Sequence, residues 1–219
     1  MQPVHGKPLC YTVKGLFNKQ HKVLYYGPMS ESELKDMLAE HHKVAAELEP
    51  LTKVYAQKKI ITEPKVYIAP YDSRQFNYIQ YSNRGETFSL EDTPSITLYN
   101  EYFGGGMNTV VFQEMREARG LAYSAWARLY APSHADDTYC YNAFIATQND
   151  KMQTAVEAFD EIINNMPQSD AAFKVAKDAL EGRLRTQRYT GANVLRSYLA
   201  CRRLGLSEPM DKKVFEALQ

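Results

Sequence analysis

The sequence predicts an α+β fold, in which helices pack on one face of an antiparallel sheet. Segments with alternating apolar residues come in pairs separated by short turns, which is typical of antiparallel hairpins. Between and after these pairs, apolar residues recur at helical spacing, as on helices that bury one side. Strand pairs followed by runs of helices indicate a two-layer α+β domain rather than alternating βα units.

Charge and hydrophobicity argue against a general nucleic-acid-binding protein and against a membrane-spanning protein. The 219 residues contain 26 Lys and Arg and 26 Asp and Glu, so the formal net charge is zero. A general nucleic-acid binder would carry a basic excess. No run reaches the roughly 18 apolar residues of a membrane span, and the N-terminus has no signal-peptide pattern. We therefore expect no nucleic acid and no membrane as partners, and the compartment stays open.

Residues 1–28 are predicted to be the C-terminal strands of a preceding, truncated domain. Apolar alternation over residues 8–26 indicates two strands, the second of them at residues 21–26, and two strands alone do not make a stable unit. Cys10, Cys140 and Cys201 are widely separated and lack C-x-x-C spacing, which argues against a disulfide framework and a zinc knuckle. We expect these thiols to be small buried or half-buried side chains.

A helical connector is predicted for residues 29–63. Ser30 and Glu33 have the spacing of a capping box, and an apolar stripe follows until the helix ends near Pro50.

Two features of this connector could be taken for a site. His41 and His42 are adjacent on the predicted helix, so their side chains point about 100° apart and cannot easily share one metal ion. Lys58 and Lys59 are expected to be a solvated patch.

Residues 64–219 form the largest predicted domain. It opens with strands at 65–71 and 75–81, and a second hairpin joins strands at 121–131 and 138–147. The sequence stops inside a helical pattern, so we expect this domain to be truncated at its end.

Two helices are predicted between the hairpins. The first starts at Thr93 and Pro94 and is ended by the glycines at 104–106, and the second is followed by Gly120 as its first non-helical residue. Their predicted buried faces are Ile96, Tyr99 and Phe103 for the first helix, and Val111, Met115 and Ala118 for the second.

Four helices are predicted after the second hairpin. They begin with Asp150 as a cap, at Asp170, at Asn193 and near Asp211. Their predicted inward residues are Met152, Val156, Phe159, Ile163 and Met166, then Phe173, Ala176, Leu180 and Leu184, and finally Val214, Phe215 and Leu218.

Familiar catalytic motifs are absent from the sequence. There is no G-x-x-x-x-G-K-[ST] loop, no G-x-S-x-G elbow, and neither H-E-x-x-H nor H-x-x-E-H. The G-G-G-M-N run follows a helix rather than a strand, which argues against a nucleotide cradle. No metal ligand and no catalytic residue is therefore assigned in this chain.

Arg116 and Tyr123 are the best functional candidates. Arg116 could belong to a charged solvent face with neighbouring Glu residues, and Tyr123 could be a core or sheet-face tyrosine. If they converge, a guanidinium and a phenol could instead hydrogen-bond a peptide carbonyl and stabilise an oxyanion. The residues alone leave both interpretations open.

The stretch NEYFGGGMNTVVFQEMREARGLAYSAWA, residues 100–127, strongly resembles the pitrilysin/insulinase family of zinc peptidases, also called inverzincins, which includes the mitochondrial processing peptidases. Looser similarity extends over residues 65–219. The residues that fit the family pattern are Phe112, Met115, Arg116, Glu117, Arg119, Gly120, Leu121, Ala122 and Tyr123.

This resemblance implies a metallopeptidase-like two-layer domain and one half of a clamshell. In active members, the other half holds a zinc ion on His, His and Glu, with a glutamate base. The half without zinc supplies an Arg and a Tyr, seven residues apart, that reach the substrate. Arg116 and Tyr123 match that substrate-binding pair.

The resulting prediction is a substrate-binding, non-catalytic C-terminal part of a zinc metalloendopeptidase. We expect no cofactor in this chain, which alone should cleave nothing. Zinc is expected in the catalytic N-terminal half, on the same polypeptide or on a partner subunit, and a peptide is the expected substrate. One alternative is a scaffold subunit of the same fold without a proteolytic role. Another is a free-standing binding module, but a sequence that stops inside a helical pattern argues against it.

Overall fold

The computed structural model describes residues 15–51, 57–104 and 106–219. The chain divides into two compact units. The first comprises residues 1–56 and 190–196, and the second comprises 57–189 and 197–219. The predicted division at residues 28/29 and 63/64 stays a prediction.

The first unit confirms the start of the connector helix but not its length. Helix α1 spans Glu31–His41, and the Ser30 hydroxyl accepts from the Glu33 amide while the Glu33 carboxylate accepts from the Ser30 amide. The prediction that the helix continues to Pro50 is wrong. His42 leaves helical geometry with φ −101° and ψ 75°, and none of the residues of α1 is buried, so no packed stripe extends the helix.

The predicted strand at residues 21–26 is also wrong. These residues form no strand, although Lys19 makes an isolated parallel bridge to Glu49 after a 3-10 turn at Leu16–Asn18. A strand needs a partner for its backbone groups, and none pairs with this segment among the described residues. Most of the other predicted N-terminal strand lies outside the described residues, as does Cys10.

The second unit contains a three-stranded antiparallel sheet in the order β1-β3-β2. Its strands are β1 Gln75–Ser82, β2 Ser124–Tyr130 and β3 Cys140–Gln148. The β2–β3 hairpin is confirmed, with Ser124 opposite Ala146 and Tyr130 opposite Cys140. The predicted strand at 65–71 does not form. Val66, Tyr67 and Ile68 are 81–89% exposed, because in the described part of the chain no strand lies beside them.

Helices cover one face of this sheet, which confirms the α+β class. Thr93–Tyr99 and Val110–Phe112 each pass into a π-helical segment, Asn100–Gly104 and Gln113–Ala118 respectively. We name the regular helices α2 Thr93–Tyr99, α3 Val110–Phe112, α4 Met152–Asn164, α5 Asp170–Thr186, α6 Ala192–Leu204 and α7 Met210–Leu218. Among the described residues, none of the helices has the length and apolar character to cross a bilayer.

The core lies between the helices and one sheet face. Its largest fully buried side chains include Phe103, Val111, Met115, Ile145 and Phe159. A smaller cluster of Leu180, Val214 and Leu218 packs α7 against α5, with Leu98 of α2 beside it. Cys140 is buried and Cys201 half-buried, as expected.

Several predicted buried positions are wrong, for geometric reasons. Ala118 is exposed because π-helical turns are wider than α-helical turns and rotate it off the face of Met115. Met152, Met166 and Phe173 are exposed. Helix α4 instead buries Ala155, Ala158, Phe159 and Ile162. Asp150 is no cap either, since a 3-10 turn at Asn149–Lys151 precedes α4 and its N-cap makes no side-chain hydrogen bond.

Lys58 is not the solvated side chain that the sequence suggested. Its ammonium donates to the carbonyl oxygen of Thr138 at 2.9 Å and lies 3.4 Å from the Asp137 carboxylate, with only 23% and 7% of the two side chains exposed. Burial alone would raise the pKa of Asp137, but the hydrogen bonds from the Thr138 and Lys58 amides and the Lys58 charge lower it overall. This pair fixes the start of the second unit to the β2–β3 hairpin.

The outer edge of β2 is covered by the π-helical segment Asn100–Gly104. The Asn100 carboxamide donates to the Leu129 carbonyl and accepts from the Leu129 amide, both at 2.9 Å, as a neighbouring strand would. A Cβ on Gly104 would lie 1.9 Å from the Ala127 carbonyl oxygen. Gly104 is therefore required for close packing of this segment on β2. The sequence had indicated only that the glycines end the helix.

Candidate functional site

The candidate site is built on the turn between α3 and β2. The π-helical segment ends at Ala118, and Gly120 has a φ of +58°, which confirms it as the first residue beyond the helix. The amides of Leu121 and Ala122 both donate to the Met115 carbonyl, at 2.9 and 3.1 Å. The chain therefore folds back on the helix end within a few residues.

This turn carries the two candidates on adjacent backbone segments. Met115 and Ala122 are hydrogen-bonded, and Arg116 and Tyr123 are the next residue in each segment. The Tyr123 amide donates to the Ala146 carbonyl at 2.9 Å, and the Thr147 hydroxyl donates to the Leu121 carbonyl at 2.5 Å. Strand β3 thus holds the exit of the turn in a fixed position.

The Arg116 side chain is half exposed and makes only weak contacts. Its side chain retains 47% exposure, and its Nε lies 3.6 Å from the carboxylate of the adjacent Glu117. The guanidinium stacks over the Phe112 ring at 4.9 Å from the ring centre. A solvated ion pair of this length contributes little, so the guanidinium donors are available to a ligand.

Arg119, on the same segment, has a different role. Its Nη1 donates to Glu161 of α4 at 2.8 Å, and its Nε lies 3.6 Å from Glu114. The hydrogen bond to Glu161 is the main reason why the pKa of Arg119 is raised. Arg119 therefore ties the helix end to α4, a contact between distant segments that the sequence did not indicate.

Tyr123 lies outside the core. Its side chain is 73% exposed, although its backbone amide is bonded to β3 and its neighbour Ala122 is buried. The core alternative considered for this residue is therefore excluded. Within the part of the chain that the structure describes, the Tyr123 hydroxyl makes no hydrogen bond.

Three apolar side chains form a row across the sheet. Ile79, Phe144 and Trp126 lie opposite one another on the three strands, and the rings of Trp126 and Phe144 stack at 5.8 Å. Ile79 is 67% exposed.

The best-defined cleft of the second unit is not lined by these residues. A cleft of about 500 Å³ lies elsewhere in the second unit, lined by residues of α2, the end of β2 and α5, and neither Arg116 nor Tyr123 lines it. Among the described residues, no group of three or more His, Cys, Asp or Glu side chains could hold a metal ion. The candidate site is an exposed surface with hydrogen-bond donors.

Structural similarity supports the fold. The peptidase M16 inactive domain from Pseudomonas fluorescens superposes with a TM-score of 0.60 at 21% identity, over 87% of this chain and 45% of that chain. A protease from Helicobacter pylori gives 0.60 at 12% identity, over 88% and 48%. A conserved protein from Enterococcus faecalis V583 gives 0.58 at 12% identity, over 87% and 47%. This chain therefore spans less than half the length of each of these structures.

Sequence comparison assigns the family. No curated protein matches the chain. Residues 19–180 match the family described as the peptidase M16 inactive domain, and this range includes the turn with Arg116 and Tyr123. Because the matched residues make up most of the sequence, the resemblance to this peptidase family is confirmed, and the chain belongs to the peptidase M16 inactive-domain family.

Proposed function

We propose that this chain is the substrate-binding, non-catalytic part of a zinc-dependent metalloendopeptidase. One observation carries the proposal: two exposed side chains with free donors, Arg116 and Tyr123, directly follow the hydrogen-bonded pair Met115 and Ala122. Family membership supports it, since an inactive M16 domain is typically one part of a larger peptidase.

The two side chains suit a peptide carbonyl. A guanidinium donates through several N–H groups in a fixed plane, so Arg116 would bind a substrate carbonyl and hold the backbone in place. A phenol donates a single O–H, so Tyr123 would donate to the oxygen on which negative charge develops during hydrolysis. Backbone hydrogen bonds fix the positions from which both side chains extend before substrate arrives, which limits the backbone reorganisation needed at the transition state.

The zinc of such an enzyme would be held elsewhere. The described residues of this chain offer no group of three ligands, and we propose that the ion is held on the catalytic half. That half is either the N-terminal part of the same polypeptide or a partner subunit. When bound there, zinc supplies an activated water and polarises the scissile carbonyl.

A scaffold subunit without a proteolytic role is the competing proposal. The two are separated by restoring this chain to the rest of its polypeptide, or to a candidate partner subunit, and assaying peptide cleavage. Arg116→Ala and Tyr123→Phe are then compared with Arg202→Ala and Tyr198→Phe, which change the same residue types on exposed positions of α6.

We expect both site variants to lower kcat/KM, by about 10²–10³-fold where an oxyanion donor is lost. The α6 variants should retain full activity, and circular dichroism should be unchanged in all four. Cleavage that survives both site changes would refute the site assignment. An assembly that contains a complete zinc site and still cleaves no peptide would support the scaffold.

A further inference from the structure

Two imidazoles meet at the end of α1, within the first unit. His21 lies two residues after Lys19 in a segment without regular structure, and His42 is the C-cap residue of α1. Their Nε2 atoms are 2.7 Å apart, and the rings are nearly perpendicular at 83°. His41, the neighbour of His42, does not take part in this contact and instead lies 3.7 Å from Glu40.

The surrounding backbone determines where the protons lie. His21 Nδ1 is 2.6 Å from the Lys19 carbonyl oxygen, which can only accept, so His21 carries its proton on Nδ1. In the neutral ring, the Nε2 of His21 then has a free lone pair. A single proton, on His42 Nε2, therefore joins the two nitrogens.

A metal ion can take the place of that proton when the neutral His42 ring adopts its other tautomer, with the hydrogen on Nδ1 and a lone pair on Nε2. Zinc binds imidazole nitrogen at about 2.0–2.1 Å, so two tetrahedral ligands stand roughly 3.3 Å apart. The Nε2 atoms must therefore separate by about 0.6 Å, and both rings must turn so that their lone pairs converge on the ion. A ligating His commonly donates its other N–H to a backbone carbonyl. His21 already makes this bond to Lys19.

Charges of both signs lie near the pair, and the Lys43 ammonium, next to His42 in the chain, donates to the Ala39 carbonyl of α1 at 2.8 Å. The C-terminal end of a helix carries a partial negative charge, and His42 lies at the end of α1. The nearby ammonium of Lys19 is paired with the Glu49 carboxylate, which offsets its repulsion of a cation.

We propose that His21 and His42 form a binding site for a divalent transition-metal ion. This site is separate from the Arg116 and Tyr123 surface and from any catalytic zinc. The described residues complete no group of three ligands, so water fills the remaining positions and the affinity is modest. Two imidazoles favour copper and nickel over zinc and cobalt, and do not retain magnesium or calcium, which prefer oxygen ligands.

The test uses the untagged 219-residue chain and isothermal titration with Ni²⁺. We expect one ion per chain, a dissociation constant at least tenfold weaker after His21→Ala or His42→Ala, and no change after His41→Ala, the matched control. A wild-type chain that does not bind millimolar Ni²⁺ would overturn the proposal. So would equal binding by all three variants.

A second measurement does not depend on the variants being folded. The paramagnetic resonance spectrum of the wild-type chain with one equivalent of Cu²⁺ should show two imidazole nitrogens bound to the ion. A single nitrogen, or oxygen ligands only, would refute the paired site.

Discussion

The Ala122 amide donates a hydrogen bond to the Met115 carbonyl across the turn at Gly120, and the bond is 3.1 Å long. This bond sets the backbone positions from which Arg116 and Tyr123 extend. The geometry of the candidate site therefore depends on a turn that only a few residue types tolerate. Several consequences can be measured on the chain alone.

Gly120→Ala should destabilise the fold through backbone strain. Gly120 has a φ of +58°, and nothing lies within 4 Å of a Cβ at this position, so the cost is conformational. We expect a loss of about 1–2 kcal/mol in the free energy of unfolding, measured with urea. Gly182→Ala is the matched control, because Gly182 lies inside α5 with open space around it. This control should gain about 0.5–1 kcal/mol. Equal effects of the two changes would contradict the strained turn.

Gly104→Ala should destabilise the fold by a steric mechanism. The added Cβ would lie 1.9 Å from the Ala127 carbonyl oxygen, so the covering segment or β2 must move. We expect a loss of about 1–3 kcal/mol in unfolding free energy. The comparison is Gly106→Ala, where nothing lies within 4 Å of the new Cβ. A neutral Gly104→Ala would show that the segment does not pack closely on this edge.

Arg119 and Glu161 should show a small, salt-dependent coupling. Their 2.8 Å contact is partly exposed, so a double-mutant cycle with Arg119→Ala and Glu161→Ala should give about 0.2–1 kcal/mol. This coupling should shrink in 1 M salt, because solvated charges are screened. The cycle for Arg116 and Glu117, whose contact is 3.6 Å, should give almost none. A larger coupling in the second cycle would mean that Arg116 is committed to the fold.

Asp137 should make stability depend on pH. Its pKa is lowered from the ordinary 3.8, so the native state favours the ionised carboxylate. The stabilisation is fully present above pH 3.8 and is lost as pH falls below that value through the folded-state pKa. Unfolding free energies of the wild type and Asp137→Asn should therefore differ most near neutral pH and converge in acid. Parallel pH curves for the two proteins would refute this assignment.

Local signals in the sequence predicted local structure well. The capping box at Ser30, the turn at Gly120 and the β2–β3 hairpin each depend on residues close together in the chain, and all three form. The α+β class followed from the same signals. The substrate-binding roles of Arg116 and Tyr123 stay predictions, although their exposure is now described.

The predictions that were wrong concern features that depend on contacts between distant segments. Apolar alternation at 65–71 cannot reveal that no strand lies beside it, and helical spacing in α4 cannot show which side meets the sheet. The π-helical turns that expose Ala118 leave no periodic signature that differs from an α-helix over so few residues. The partners of Lys58 and Arg119 lie 79 and 42 positions away in the sequence, beyond the range of any spacing rule.

The Asn100 carboxamide on Leu129 has a consequence for how this sheet can grow. It occupies the outward amide and carbonyl of Leu129, with which β2 would pair a neighbour, while β1 retains an unpaired side in the described structure. A further strand, whether from another segment of the polypeptide or from a second molecule, would meet occupied backbone groups at Leu129 of β2 and open ones along β1.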